Sequence, residues 1–203
     1  MKLYYSPGAC SLSPHIVLLE TGLPFEIEKV DLQRKLTAGG ADFTAINPKG
    51  YVPALQLDGG QLLTEGPAIV QYLADLAPQQ QLAPPAGSLG RYKLTEWLNF
   101  IATELHKPYA PLFTPTASEE LKASSRAALA RRLPTAAAAL AHSDYLLGDQ
   151  YSVADAYLFT VLSWAVHVRV DLSPWPALLA FQQRVAARPA VQQALRDEGL
   201  LAA

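Results

Sequence analysis

The sequence predicts an α/β N-terminal domain with elements in the order βαβ, αββα, followed by an all-α C-terminal domain. Three observations predict this. Residues 2–5 are rich in β-formers and end at Ser6-Pro7-Gly8-Ala9, after which apolar residues recur at helical spacing. Residues 52–57 and 61–63 flank Asp58-Gly59-Gly60, the turn chemistry of a β-hairpin. Beyond the Pro- and Gln-rich stretch at 77–90, every periodic segment is helical.

Each element has its own justification. Leu12, Ile16 and Leu19 fall at i, i+4 and i+7, Pro14 sits in the tolerated first turn, and Gly22 is placed to stop the helix. Residues 25–30 alternate as a second strand would, and residues 31–45 read as a loop with a short helix. After the hairpin, Thr64 can cap a helix with Pro67 in its first turn and Ile69, Tyr72, Leu73 and Leu76 as its apolar stripe. The expected linker, 79–87, separates a domain of residues 1–78 from a helical domain of residues 88–203. The latter holds helices over about 88–113, 119–141 and 152–168 and two shorter ones. Ser152 and Asp155, three apart before an apolar run, form a capping signal in which the Ser side chain accepts a free helix N–H.

Composition excludes several classes of function. The 203 residues carry 16 basic and 18 acidic side chains, a net charge of -2, with no basic run to bind nucleic acid. Charged residues make up only 17%, which argues against disorder. The best membrane candidate, 156–168, is far shorter than the ~20 residues a bilayer needs and is interrupted by Thr160, Ser163 and His167. An export signal at the N-terminus is too short and is broken by Ser6-Pro7. With a single cysteine, the expected location is a reducing cytoplasm.

The chemistry-bearing residues are few. Cys10 lies where the first strand gives way to a helix, and free N–H groups at a helix start favour a thiolate with a lowered pKa; the alternative is a buried, inert thiol. No C-x-x-C is present, so a dithiol cycle within one chain is excluded. Val52-Pro53 opens a strand, either as an edge proline or as a cis bond leaving the Val52 backbone to pair with an extended ligand. Glu65-Gly66 stands at a helix start, where N–H groups can hold a carboxylate and Glu65 an ammonium, or else it is an ordinary acidic first turn. Asn99, Thr103 and His106 fall at i, i+4 and i+7, and His106-Lys107-Pro108 predicts a bend opening a cleft lined by Tyr109 and Phe113. His15, His142 and His167 read as structural or exposed. Phosphate-loop, serine-hydrolase and zinc signatures are all missing, and no metal is expected.

Taken together, Tyr5-Ser6-Pro7-Gly8-Ala9-Cys10-Ser11, Asn47-Pro48-Lys49-Gly50 running into Val52-Pro53-Ala54-Leu55, Leu63-Thr64-Glu65-Gly66, residues 96–106 and Ser152-Val153-Ala154-Asp155-Ala156-Tyr157 closely resemble the bacterial beta-class glutathione transferases. The resemblance implies a thioredoxin-like first domain, a homodimer, and glutathione as cosubstrate. It implies that Val52, before a cis Pro53, pairs with the cysteinyl part of glutathione. Glu65 and Gly66 would hold the γ-glutamyl end and Lys35 the glycine carboxylate, while Asn99, Thr103, Glu104 and His106 close the site. Cys10 would lie beside the glutathione sulfur and form a mixed disulfide with it, with His106 as a polar or acid-base partner and Ser11 as a second donor to the thiolate. Tyr109, Phe113 and Trp164 would line the pocket for a hydrophobic electrophile.

The implied reaction is detoxifying conjugation of the glutathione thiolate to such electrophiles. Two rivals stand beside it: a glutaredoxin-like thiol-disulfide or dehydroascorbate reductase acting through Cys10, which the same residues serve, and a non-catalytic ligand carrier, which would be expected to lack these motifs.

Overall fold

Residues 2–5, with Leu3, Tyr4 and Tyr5 buried, form the middle strand of a five-stranded mixed sheet. In the computed structural model, which describes residues 1–202, β1 (Lys2–Tyr5) pairs in parallel with β2 (Glu26–Asp31), Leu3 opposite Ile27. On its other side β1 runs antiparallel to β4 (Ala54–Gln56), Leu3 opposite Leu55. β5 (Leu62–Thr64) and a two-residue β3 (Leu36–Thr37) close the edges, giving the order β3-β2-β1-β4-β5. β3 falls in the stretch read from sequence as loop and short helix; the helix there is the single turn α2 (Phe43–Ile46).

α1 (Leu12–Thr21) provides the crossover between β1 and β2 and ends at Gly22 in the left-handed conformation, φ 69°. α3 (Gly66–Leu76) starts one residue later than a Thr64 cap would require. Thr64 stays in β5, and the residue at the cap is Glu65, with φ 70° and no capping side-chain bond. Its buried stripe is Ile69, Val70, Leu73 and Ala74; Leu76, expected in that stripe, is exposed.

The chain divides into two compact units, Met1–Gln81 with the segment from Ala187 onward, and Leu82–Ala186. The expected helical domain of residues 88–203 therefore loses its last helix to the first unit. The reason lies in α1, whose residues 12–18 are all buried and which packs against both α3 and the C-terminal helix. α9 (Pro189–Asp197) packs on α1 through Val191 and Ala194, and the Arg188 guanidinium pairs bidentately with Glu20 of α1 at 2.7 and 3.0 Å.

The second unit is helical throughout. α4 (Leu89–Phe100) begins at Ser88, whose hydroxyl accepts the Arg91 N–H, and runs through a π-helical turn at Ile101–His106 into α5 (Lys107–Phe113). This widened turn lies immediately before Lys107-Pro108, where the sequence places a bend, and Pro108 sits in the first turn of α5, its ring unable to donate to the preceding turn. α6 (Glu119–Leu140) and α8 (Pro176–Ala186) pack on each other, and α8 also packs on α7 (Val153–Ser163). Residues 153–162 of α7 are buried on every face, so this helix is the interior of the unit.

Asp155 fixes the start of α7. Its Oδ2 accepts the Ser152 N–H at 2.9 Å and the Ser152 hydroxyl at 2.7 Å, and its Oδ1 accepts the Leu146 N–H at 2.8 Å. Both halves of the expected capping box are present, the Ser152 side chain toward the Asp155 N–H and the Asp155 carboxylate toward the Ser152 N–H, and the Ser152 hydroxyl also donates to Asp155. Burial pushes the Asp155 carboxyl up to about 6 against the pull of these donors, so it is ionised at neutral pH.

Asp155→Ala leaves buried donors unpaired and is expected to lower unfolding stability by about 2–4 kcal/mol in urea titration. A loss below about 1 kcal/mol would show that water or a shifted loop replaces the carboxylate.

Candidate active site

The turn that carries Cys10 is closed by its own residues. Ser11 accepts the Ser6 N–H at 3.1 Å and donates its hydroxyl to the Ser6 carbonyl at 3.3 Å, while the Ala9 N–H bonds to the Ser6 carbonyl at 3.0 Å. Ser11 is fully buried. Its hydroxyl is committed to the turn, which corrects the expectation of Ser11 as a second donor to a thiolate.

Cys10 precedes the helix rather than capping it, and its thiol donates to the Val52 carbonyl at 3.2 Å. The residue keeps partial exposure, yet burial of the sulfur pushes the thiol up to about 12, with the nearby Glu65 carboxylate adding to the rise. Backbone N–H groups of Cys10 and Ser11 oppose the shift without overcoming it. The expectation of a lowered pKa is therefore wrong in direction: the helix-end field acts on a sulfur whose desolvation costs more. At neutral pH Cys10 is a protonated hydrogen-bond donor.

Val52 is buried and the Val52–Pro53 peptide is cis rather than trans. Pro53 lies against α3, its Cγ 3.9 Å from where a Cβ on Gly66 would stand, so the Val52-Pro53 and Glu65-Gly66 segments meet. The Glu65 carboxylate accepts from Lys49 Nζ and from the Tyr51 hydroxyl at 2.8 Å, which hold it below the usual carboxylate range. Glu65 has φ 70°, a conformation non-glycine residues adopt at a cost of about 1–3 kcal/mol. Lys35, also left-handed at φ 58°, donates its Nζ to the Gly50 carbonyl at 2.8 Å. The first unit thus gathers Cys10, Lys35, Val52, Pro53, Glu65 and Gly66 around the ends of β1 and α3.

In the second unit His106 is the centre of an aromatic cluster. Its Nδ1 shares a 2.6 Å hydrogen bond with the Tyr157 hydroxyl, and its ring meets Trp164 edge-on at 4.8 Å between centroids. Tyr109 and Phe113 meet the same indole at 5.6 and 6.0 Å. Burial lowers His106 to about 4, so the imidazole is neutral at pH 7. Tyr109 is enclosed, with a hydroxyl that has no hydrogen-bond partner, rather than lining an open cleft; Phe113 is half exposed.

Asn99 and Thr103 are exposed, the Thr103 hydroxyl donating to the Asn99 carbonyl at 3.0 Å. Glu104 turns to α6, where it pairs with Arg132 at 2.7 Å. Among the described residues, no group of three or more His, Cys, Asp and Glu could hold a metal, and no helix is long and apolar enough to cross a membrane.

Comparison with known proteins places this geometry. Residues 8–76 match the glutathione S-transferase N-terminal domain and residues 100–189 the glutathione S-transferase C-terminal domain. The chain belongs to the glutathione S-transferase family. It is 53% identical over 200 residues to glutathione S-transferase GstA of Escherichia coli O157:H7, covering 98% of this chain and 100% of that one. The solved ternary complex of BphK, a bacterial glutathione transferase, superposes with a TM-score of 0.98 at 62% identity, covering 98% and 100% of the two chains. The beta-class enzyme of Sphingomonas chungbukensis gives 0.96 at 48% identity over 99% and 100%. This transferase is accordingly a bacterial beta-class enzyme with glutathione transferase activity.

Sequence reasoning missed three parts of the transferase's candidate site. Lys49 and Tyr51, which hold Glu65, lie 16 and 14 residues before it across the hairpin, beyond any local spacing rule. Tyr157 lies 51 residues after His106 and shows in the sequence only as one polar-tipped residue in an apolar run.

Two titrations check these assignments. In glutathione-free protein, Cys10 should react with iodoacetamide at pH 7.5 roughly a thousandfold slower than an exposed thiol, and faster by about tenfold per pH unit up to pH 10; a plateau below pH 8 would contradict the raised pKa. The His106 imidazole should stay neutral by NMR down to about pH 5. Because its folded-state pKa lies below the unfolded value, the unfolded chain takes up the proton first, so its effect on stability is a loss as pH falls from about 6.5 toward 4.

Proposed function

We propose that the transferase holds glutathione along the end of its first unit and conjugates its sulfur to hydrophobic electrophiles. The observation that carries this reading is the meeting of the Cys10 thiol, the Val52 backbone before Pro53 and the Glu65-Gly66 helix start. A γ-glutamyl thiol peptide presents an amide backbone, an α-ammonium with its carboxylate, a thiol and a terminal carboxylate. Val52 pairs with the backbone of the cysteinyl residue, Glu65 takes the ammonium, the N-terminus of α3 at Gly66 takes the carboxylate beside it, and Lys35 takes the terminal carboxylate.

Cys10 then acts by donation. Its protonated thiol, released from Val52, donates a hydrogen bond to the glutathione sulfur and stabilises the thiolate, lowering the pKa of the reacting thiol. The nucleophile attacks the electrophile, the carbon–sulfur bond forms, and the leaving group departs with its electron pair. His106, neutral at pH 7, is the polar group that the helical unit contributes, with Asn99 and Thr103 as further contacts; Phe113 and Trp164 offer apolar surface to the electrophile. Glu104, paired with Arg132, contributes by fixing the π-helical turn.

A protonated Cys10 disfavours the reductase rival, because thiol-disulfide exchange needs a thiolate. The carrier rival is disfavoured by the family's activity and by the intact constellation. A homodimer in a reducing cytoplasm completes the reading, supported by the class to which the chain belongs and by its lone thiol.

Glu65→Ala should raise KM for glutathione by about 10–100-fold while kcat with a chloronitrobenzene electrophile changes less. Cys10→Ala should lower kcat by about tenfold and leave glutathione affinity within a few-fold by calorimetry. Unchanged kinetics in both variants would remove the proposed site.

A further inference from the structure

Glu198 enters the first unit from beyond α9 and touches the turn that carries Cys10. Its side chain is fully buried, and its two oxygens have different partners: Oε2 accepts the Gly8 N–H at 2.8 Å, and Oε1 meets His15 Nδ1 at 2.9 Å. His15, itself completely buried, stands on α1 five residues after Cys10, with its ring against Tyr5 and Phe25. Gly8 has φ 69°, and the Leu200 methyl groups lie 3.7 Å from where a Cβ on it would stand. The apex of the turn is thus held by one carboxylate 190 residues away and covered by a side chain two residues further on.

A buried carboxylate is costly unless its oxygens are bonded, and here both are spent on the two flanks of Cys10. The bonds of Ser6, Ala9, Ser11 and Ser13 within the turn are short-range and internal to residues 6–13. Such a turn keeps its shape when it moves as a body; the Glu198 contact at Gly8 and the Cys10 thiol on the Val52 carbonyl tie it to distant segments. Arg188, paired with Glu20, fixes the start of the C-terminal segment on α1.

We infer that Glu198, oriented by His15, is a positioning residue that holds the Cys10 turn in place from the C-terminal segment. Its effect on catalysis rests on the role of Cys10 proposed above; its effect on the turn does not. Loss of the carboxylate removes its hold on the Gly8 N–H, lets the turn open, and exposes a sulfur now shielded and bonded to Val52.

The test reads the turn and the reaction separately. Glu198→Ala should raise the rate of Cys10 alkylation at pH 7.5, well below the melting temperature, by about fivefold or more, and lower kcat/KM for conjugation by about tenfold. Glu198→Gln, whose carbonyl accepts from Gly8 and whose amide donates to His15, should restore both to within about twofold. A merely structural role would lower the melting temperature and leave Cys10 labelling unchanged, and that result overturns the inference. Faster labelling with unchanged conjugation supports the positioning and removes the catalytic role of Cys10 instead. Should Glu198→Ala fail to fold, Glu198→Asp, one methylene shorter, carries the same measurement. In the unsubstituted protein, Gly8 amide exchange as fast as an open loop overturns the inference directly.

Discussion

Between Tyr5, at the end of the central strand, and Leu12, at the start of a buried helix, six residues must change the chain's direction while leaving a thiol within reach of solvent. Every polar backbone group enclosed on the way needs a partner. Ser11 meets most of this requirement, accepting from and donating to Ser6 across the turn. That commitment spends the Ser11 hydroxyl on the turn itself. It also explains why the sulfur sits so deep: a turn closed this tightly brings the thiol in against the Val52 carbonyl.

The electrostatic plan of the molecule follows from this placement. Two groups are uncharged at neutral pH, Cys10 by burial in the first unit and His106 by burial in the second. Charge in the first unit is held at Glu65, bonded by Lys49 and Tyr51, and at Lys35, which donates to the Gly50 carbonyl. A neutral donor stabilises a sulfur anion without pairing it so strongly that it stops being a nucleophile, whereas a full cation would lower reactivity along with pKa.

Much of this was legible in the sequence, for reasons that differ by element. The hairpin announced itself through Asp58-Gly59-Gly60, α1 through its spacing and Gly22, and α7 through Ser152 and Asp155, because each signal is carried by neighbours in the chain. What failed involved distant partners or competing terms. The helix start predicts a low thiol pKa for Cys10 from local geometry, but burial depends on β4 and α3 as well, and burial wins. Thr64 has the chemistry of a cap, yet its pairing with Ala54 keeps it in the sheet. Nothing in the composition of residues 187–202 distinguishes a helix that covers α1 from one that belongs with α8; the Arg188–Glu20 pair, 168 residues apart, decides it.

That last arrangement has a consequence for how the protein is made. A ribosome delivers β1, α1 and the hairpin first, but the surface of α1 that α9 covers stays bare until the whole helical unit has been synthesised. The nascent first unit therefore spends most of translation with an apolar helix face open, covered only once α9 has emerged. The part that emerges earliest is also the part completed last.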